Sequence, residues 1–124
     1  MSNKKIIDDL NRNFKYVSDK EQYHWYDVWT VARLVDGKLQ SDCEGYSLTL
    51  RKLLGGDIYF CKHNGTGHAI LKMPNGKYVD NIQREEFDLP KPLYRSVRRV
   101  KWLELHARLL LGTIVVTINK IFGN

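Results

Sequence analysis

The sequence predicts an α+β domain, on three observations. Apolar residues at helical spacing in residues 3–14 predict a first helix. The stretch SDCEGYSLTLRKLLGG, residues 41–56, predicts a second helix with its own start and stop. The short runs DIYFCKH, HAILKM and KYVDNI, separated by the turn signals NGTG and PNG, predict three strands. We therefore expect helices on one side of a small antiparallel sheet, with the second helix packed on it.

Length and composition place the chain among single globular domains. It has 124 residues, of which 43% are hydrophobic and 27% are charged, so one domain covering residues 1–124 is expected. Two cysteines, Cys43 and Cys61, do not make a disulfide framework. Residues 1–9 contain no apolar stretch fit for a signal peptide. These features favour a cytoplasmic protein.

The net charge of +6 is concentrated at one end of the chain. Residues 1–90 carry 13 basic and 13 acidic side chains, whereas residues 91–124 carry seven basic side chains against one acidic, Glu104. This asymmetry predicts contact with an anionic surface through residues 91–108, such as nucleic acid, cell wall or lipid headgroups. The alternative interpretation is a solvated basic strand face.

The remaining secondary-structure elements are predicted from the spacing of apolar residues and from residues that end helices or form loops. Residues 14–23 are expected to be extended or loop, and residues 25–36 to hold a short helical piece with Thr30 as N-cap and Gly37 as its end. Two prolines, Pro90 and Pro92, predict a loop over residues 83–92. Partial alternation predicts a further strand over residues 94–105.

The second helix carries a cysteine in its first turn. Ser41 and Glu44 fit a capping box, which makes Ser41 the expected N-cap and Cys43 the second helical residue. The helix dipole and unpaired N–H groups at this end favour the thiolate, whereas Asp42 and Glu44 oppose it. A reactive cysteine here would therefore need a basic partner. The alternative is a small buried cysteine without chemistry.

His68 and Asp80 are the candidate partners. If Pro74, Asn75 and Gly76 form a three-residue loop, Met73 pairs with Lys77 and His68 falls opposite Ile82. Asp80 then lies on the same face as His68, one diagonal step away, which is within reach of two side chains. A two-residue loop would put Asp80 on the other face. Thiol, imidazole and carboxylate would form the nucleophile, base and orienting acid of covalent catalysis. Alternatively, His68 is a turn residue and Asp80 caps the DNIQ loop.

These residues resemble a known family. SDCEGYSL, GHAIL and NGKYVDNI are similar to the three blocks of the transglutaminase-like (papain-like) cysteine protease superfamily, and NRNFKYVSDKEQY with DVWT narrows the resemblance to the bacterial transglutaminase-like cysteine peptidases. The likeness spans Ile6 to Trp102. It implies a transglutaminase-like fold and a cysteine-dependent peptidase or amidase. It also implies Cys43 as nucleophile, His68 as general base and acid, and Asp80 as the orienting carboxylate.

The resemblance also bears on cofactors and substrate. No cofactor is required for the chemistry, but in the relatives the acids beside the cysteine are associated with calcium, so Asp42 and Glu44 are candidate calcium ligands. A protein or peptide substrate is implied, with peptidoglycan peptides as one candidate, and an amine acceptor would instead give a transglutaminase. Trp29 matches the family only in position. The chain is shorter than the periplasmic members and has Gly45 where they usually have an acid.

Two other classes of protein are open from sequence. A zinc site could draw on Cys43, Cys61, His63 and His68, but their spacing matches no strong zinc pattern. A non-catalytic binding protein could use the C-terminal part, where the apolar run from Leu109 to Ile118 is too short to span a bilayer, which takes about 20 residues. Peripheral membrane association of a surface helix is one alternative for this run, and a core helix or strand is favoured.

Overall fold

The computed structural model describes residues 2–18 and 31–122. Within them the chain is mixed α+β, with three helices and two small sheets. The helices are α1 (Asn3–Arg12), α2 (Cys43–Leu54) and α3 (Trp102–Phe122). The strands are β1 (Phe14–Tyr16), β2 (Arg33–Val35), β3 (Lys38–Ser41), β4 (Asp57–His63), β5 (Thr66–Lys72), β6 (Tyr78–Val79) and β7 (Tyr94–Arg99).

The larger sheet has the order β6-β5-β4-β7, and all of its neighbours are antiparallel. The turn Asn64-Gly65 joins β4 to β5 with positive φ at both residues, 50° and 81°, as a two-residue type I′ hairpin requires. One face of this sheet packs against α1 and α2 around Tyr46, Leu50 and Leu71. The other face carries a smaller cluster of Cys61, Ile70, Phe87 and Tyr94. The predicted antiparallel sheet with α2 packed on it is confirmed.

A second, three-stranded sheet was not predicted. In it β3 lies between β1, to which it is parallel, and β2, to which it is antiparallel. The helix predicted over residues 25–36 is wrong where it can be compared, because residues 33–35 form β2 and Asp36-Gly37 is the turn into β3. Both turn residues have positive φ, so the Asp-Gly pair marks a hairpin rather than a helix end. Thr30 and Trp29 lie outside the described residues.

The strand predicted over residues 94–105 is correct only as far as Arg99. Trp102 begins α3, whose buried Leu105 and half-buried Leu109 lie one turn apart on the side facing the core. The apolar run from Leu109 to Ile118 belongs to this helix, and much of it is exposed, including Leu110, Leu111 and Ile114. The run is therefore helix rather than strand, and only one side of that helix contacts the core. None of the helices in the described residues is long and apolar enough to cross a membrane.

Candidate active site

The start of α2 differs from the predicted capping box. Asp42, not Ser41, is the N-cap, and its Oδ1 accepts the N–H groups of Glu44 at 3.1 Å and Gly45 at 3.2 Å. Ser41 instead ends β3 and donates its hydroxyl to the Asp42 carbonyl. Both residue types are good N-caps, so the sequence alone could not separate them. Cys43 is consequently the first helical residue rather than the second.

The helix end is as predicted. Leu54 is the last helical residue, and the Gly55 N–H donates to the Arg51 carbonyl. Gly56 has φ of 104°, and a Cβ there would lie 2.2 Å from the Lys72 carbonyl oxygen. A side chain at this position would separate α2 from β5. The glycine pair therefore fixes how α2 lies against the strand that carries His68.

The predicted register of the β5–β6 hairpin is confirmed. The Met73 N–H donates to the Lys77 carbonyl, and Leu71 pairs with Val79. The three-residue loop thus puts Asp80 on the same face as His68, although β6 ends at Val79 before Ile82 could pair. His68 Nε2 lies 2.7 Å from Asp80 Oδ2, and both side chains are buried. The expected imidazole–carboxylate pair is formed.

Asp80 also caps the loop that follows it. Its Oδ1 accepts the N–H groups of Ile82 at 3.1 Å and Gln83 at 2.7 Å, so Asp80 caps the DNIQ loop and also contacts His68. Burial acts to raise the pKa of Asp80, but hydrogen bonds from His68, Tyr94 and the Gln83 N–H outweigh it and lower the pKa below its ordinary value. Asp80 is therefore an ionised acceptor at neutral pH.

Tyr94 is a third member of this network that sequence analysis missed. Its hydroxyl donates to Asp80 Oδ2, the oxygen that His68 also contacts, at 2.5 Å. Burial and this hydrogen bond raise the pKa of Tyr94, so it stays a neutral donor. Tyr94 comes from β7, beyond the proline-containing loop, and nothing in the sequence indicates which strand packs beside Asp80.

Cys43 lies at the edge of the same site. It lines a cavity of about 250 Å³ at the β4–β5 hairpin end, together with residues from four other segments: Tyr16, His63, Thr66, Gly67, His68, Asn81 and Ile82. The structure therefore brings Cys43 and His68 to one cavity. Within the described residues the thiol hydrogen bond is to Glu44 Oε2 at 3.4 Å rather than to an imidazole.

The electrostatics of the thiol oppose the predicted thiolate. Burial, followed by the negative charges of Glu44 and Asp42, raises the pKa of Cys43 far above its ordinary value, although the Ala69 backbone acts in the other direction. The thiol is therefore protonated at neutral pH in this arrangement. Burial is thus the main reason why the thiolate is disfavoured, and Glu44 and Asp42 add to it in the direction that the sequence predicted.

His63 is a further histidine in the cavity. Its ring centroid lies 5.7 Å from that of His68 and 4.7 Å from that of Tyr94. The sequence could have predicted this position. An Asn-Gly hairpin pairs Cys61 with His68 and therefore puts His63, two residues after Cys61, on the same face of the sheet. Cys61 is buried beside this network, and burial raises its pKa to about 11.

The candidate metal ligands do not form a cluster. Among the residues that the structure describes, no group of three or more histidine, cysteine, aspartate and glutamate side chains could hold a metal ion. Asp42 Oδ1 is engaged by two backbone N–H groups, and Glu44 Oε2 by the thiol. Two carboxylates fall short of the six to eight oxygens that calcium prefers. The calcium site stays a prediction.

Comparison with known proteins adds no family assignment. No protein-family model matches the chain, and no curated protein is similar to it at a significant level. Membership of the transglutaminase-like superfamily therefore depends on the three sequence blocks, and it is a proposal.

Proposed function

We propose that this chain is a cysteine-dependent amide hydrolase, a peptidase or amidase, with a transglutaminase-like fold and Cys43, His68 and Asp80 as its catalytic residues. The observation that carries the proposal is the buried His68–Asp80 pair at 2.7 Å, which opens onto the same cavity as a cysteine at a helix N-terminus. A buried histidine held by an ionised carboxylate is the usual arrangement for a base that must become an imidazolium.

In this proposal the two imidazole nitrogens have different roles. Nε2 is held by Asp80, which leaves Nδ1 to take the proton of the Cys43 thiol. Because the pKa of Cys43 is raised, the proton transfers as the sulfur attacks rather than beforehand. The thiol would first turn from Glu44 towards His68 when substrate enters.

The reaction then runs through a thioester. The sulfur adds to the amide carbonyl, and the protonated His68 gives its proton to the leaving amine as the C–N bond breaks. Water, activated by His68, hydrolyses the thioester, releases the acid and restores the thiol. Asp42 already engages the N–H groups of Glu44 and Gly45, so the Cys43 N–H is the donor of this turn that is left to stabilise the oxyanion.

The acceptor decides between two activities of one intermediate. Water gives a hydrolase, whereas a primary amine would give transglutaminase-type acyl transfer. A protein or peptide is the proposed substrate, with peptidoglycan peptides as one candidate.

The test is a survey of products made by the full chain and by Cys43→Ala. We expect new peptide termini from protein or peptidoglycan substrates with the parent and none with Cys43→Ala. An added fluorescent amine that becomes incorporated, again only with the parent, would identify acyl transfer. Equal products from both chains would contradict the enzyme proposal and favour a binding protein that uses its basic C-terminal part.

A further inference from the structure

A row of basic side chains begins beside the candidate cavity. Lys62 of β4 pairs with Gly67 of β5 on one side and with Arg95 of β7 on the other. Paired residues share a sheet face, so Lys62 and Arg95 are like charges directly opposite each other. Such a pair is destabilising by itself, and an anion between the two would relieve the repulsion.

Among the residues that the structure describes, Lys62 and Arg95 differ from the other basic side chains nearby in having no acidic partner. Arg98 and Arg108 both bind Glu104, and Arg99 binds Asp57. In residues 2–18 and 31–122, by contrast, no carboxylate lies within 4 Å of Lys62 or Arg95, and both side chains are exposed. The row therefore presents two uncompensated positive charges to solvent.

The row is continuous with the cavity of Cys43. Gly67 lines that cavity and also an adjoining one of about 380 Å³, which Lys62 and Arg98 line as well. A third cavity, of about 320 Å³, shares Lys62 and reaches Arg95. A Cβ at Gly67 would meet nothing within 4 Å, so the space beside this shared residue is open.

We propose that Lys62 and Arg95 form a subsite for an acidic side chain of a peptide substrate, an inference that rests on the proposed function. Neighbouring strands lie about 4.8 Å apart, so Arg95 is about 10 Å from the Gly67 strand. An extended peptide advances about 3.3 Å per residue. A peptide whose scissile amide lies in the Cys43 cavity beside Gly67 would therefore bring its second or third residue from that bond to this row. Continuity with the thiol cavity favours a peptide over nucleic acid or a lipid surface.

Binding is tested first, without chemistry, on the full-length Cys43→Ala chain. The probes are a fluorescein-labelled octapeptide of alanine, glycine and three glutamates, and its counterpart with glutamines. We expect the glutamate peptide to bind about 10-fold more tightly at low salt, and Lys62→Gln or Arg95→Gln to weaken it about 3-fold each. Lys52→Gln, the same charge change at an exposed position of α2, is the control and should have no effect.

Two binding results would overturn the subsite. Equal affinity for the two peptides would show that the row does not recognise carboxylates. Tight binding of a single-stranded oligonucleotide or of phosphatidylglycerol vesicles, without binding of the glutamate peptide, would assign the row to another anion.

Cleavage separates this inference from the proposed function. With a proteome-derived peptide library, the parent should enrich aspartate or glutamate two or three residues from the cleaved bond, and Lys62→Gln should lose that enrichment. Cleavage that requires Cys43 but shows no acidic preference would leave the enzyme proposal intact and contradict the subsite. Binding of the glutamate peptide without any Cys43-dependent cleavage would contradict the enzyme proposal and leave an acidic-peptide site.

Discussion

The His68–Asp80 network and the environment of Cys43 contrast with each other although they meet at one cavity. The buried acid of the network has each oxygen engaged: Asp80 Oδ1 by two N–H groups, and Oδ2 by His68 and Tyr94. The cysteine is half-buried, contacts an acidic neighbour at 3.4 Å and has a raised pKa. Under the proposed function, His68 is a base already held in place and Cys43 a nucleophile still to be engaged, so substrate would complete the site.

The largest expected effect comes from a change in the His68–Asp80 network. Asp80→Asn keeps the size of the side chain but removes the charge that stabilises an imidazolium, so activity should fall about 10²–10⁴-fold. Alkylation of Cys43 at low pH should also slow in this variant, because the thiol loses its route to a basic His68. Normal turnover and normal alkylation would show that Asp80 is only a loop cap.

The same variant should reveal the pKa of Asp80 through stability. A carboxyl whose folded pKa is lowered contributes stability above its unfolded pKa of about 3.9 and loses it as pH falls through the folded pKa. The stability difference between parent and Asp80→Asn, measured by urea unfolding, should therefore be largest above pH ~4 and shrink below it. A difference independent of pH would assign the effect to packing.

The next-largest expected effect is on the reactivity of Cys43. Glu44→Gln removes the charge that, after burial, most raises the pKa of Cys43, so alkylation of Cys43 at neutral pH should quicken about 3–10-fold. Cys61, buried and on the other face, provides an internal control whose alkylation should not change. Mass spectrometry of each labelled cysteine checks this, and an unchanged Cys43 rate would mean that the Glu44 charge does not govern the reactivity of the thiol.

Tyr94→Phe should have a smaller effect. It removes one of the two donors to Asp80 Oδ2, so the pKa of Asp80 should rise and the orientation of His68 should loosen. We expect about 3–10-fold lower kcat, with KM little changed, and about 1 kcal/mol lower stability. A loss of stability without any change in the acidic limb of the pH–rate profile would make Tyr94 purely structural.

The smallest expected effect is that of calcium. If Asp42 and Glu44 bind the ion, millimolar calcium should raise the melting temperature by a few degrees through binding to the folded state. Glu44→Gln should abolish that shift, and magnesium is the control for a general salt effect. An unchanged melting temperature would show that Asp42 and Glu44 do not bind calcium.

The sequence predicted those features that depend on neighbouring residues, and it failed where a feature depends on contacts between distant segments. The predicted register of the hairpin between His68 and Asp80 was correct, because the three loop residues determine how the two strands pair. The N-cap was wrong because Ser41 and Asp42 are equally good caps, and only the end of β3 separates them. Tyr94 could not be found, since its contact with Asp80 depends on how a loop with two prolines returns the chain to the sheet.

The small sheet was missed, and the first turn of α3 was taken for strand, for related reasons. Three-residue strands such as β1 and β2 carry too few residues for an alternation to be recognised. The alternating pattern of β7 runs directly into α3, and the helical period appears only when the segment is followed as far as Leu109. Strand and helix periods share their first apolar residues, so the boundary at Trp102 was not visible.

A bulge at Ser96 determines on which side of the sheet each residue of β7 lies. Arg98 pairs with Phe60, but Arg95 pairs with Lys62, so β7 has one residue more than β4 between these pairs, and Ser96 has φ of 55°. That extra residue turns Tyr94 to the side of Asp80 and Arg95 to the side of Lys62. If β7 paired regularly with β4 from Arg98 onward, Ser96 would lie opposite Lys62 and Arg95 opposite His63, which would place the guanidinium on the side of Asp80. The bulge, rather than any one side chain, therefore determines that the phenol of Tyr94 lies beside Asp80 while the guanidinium of Arg95 lies beside Lys62.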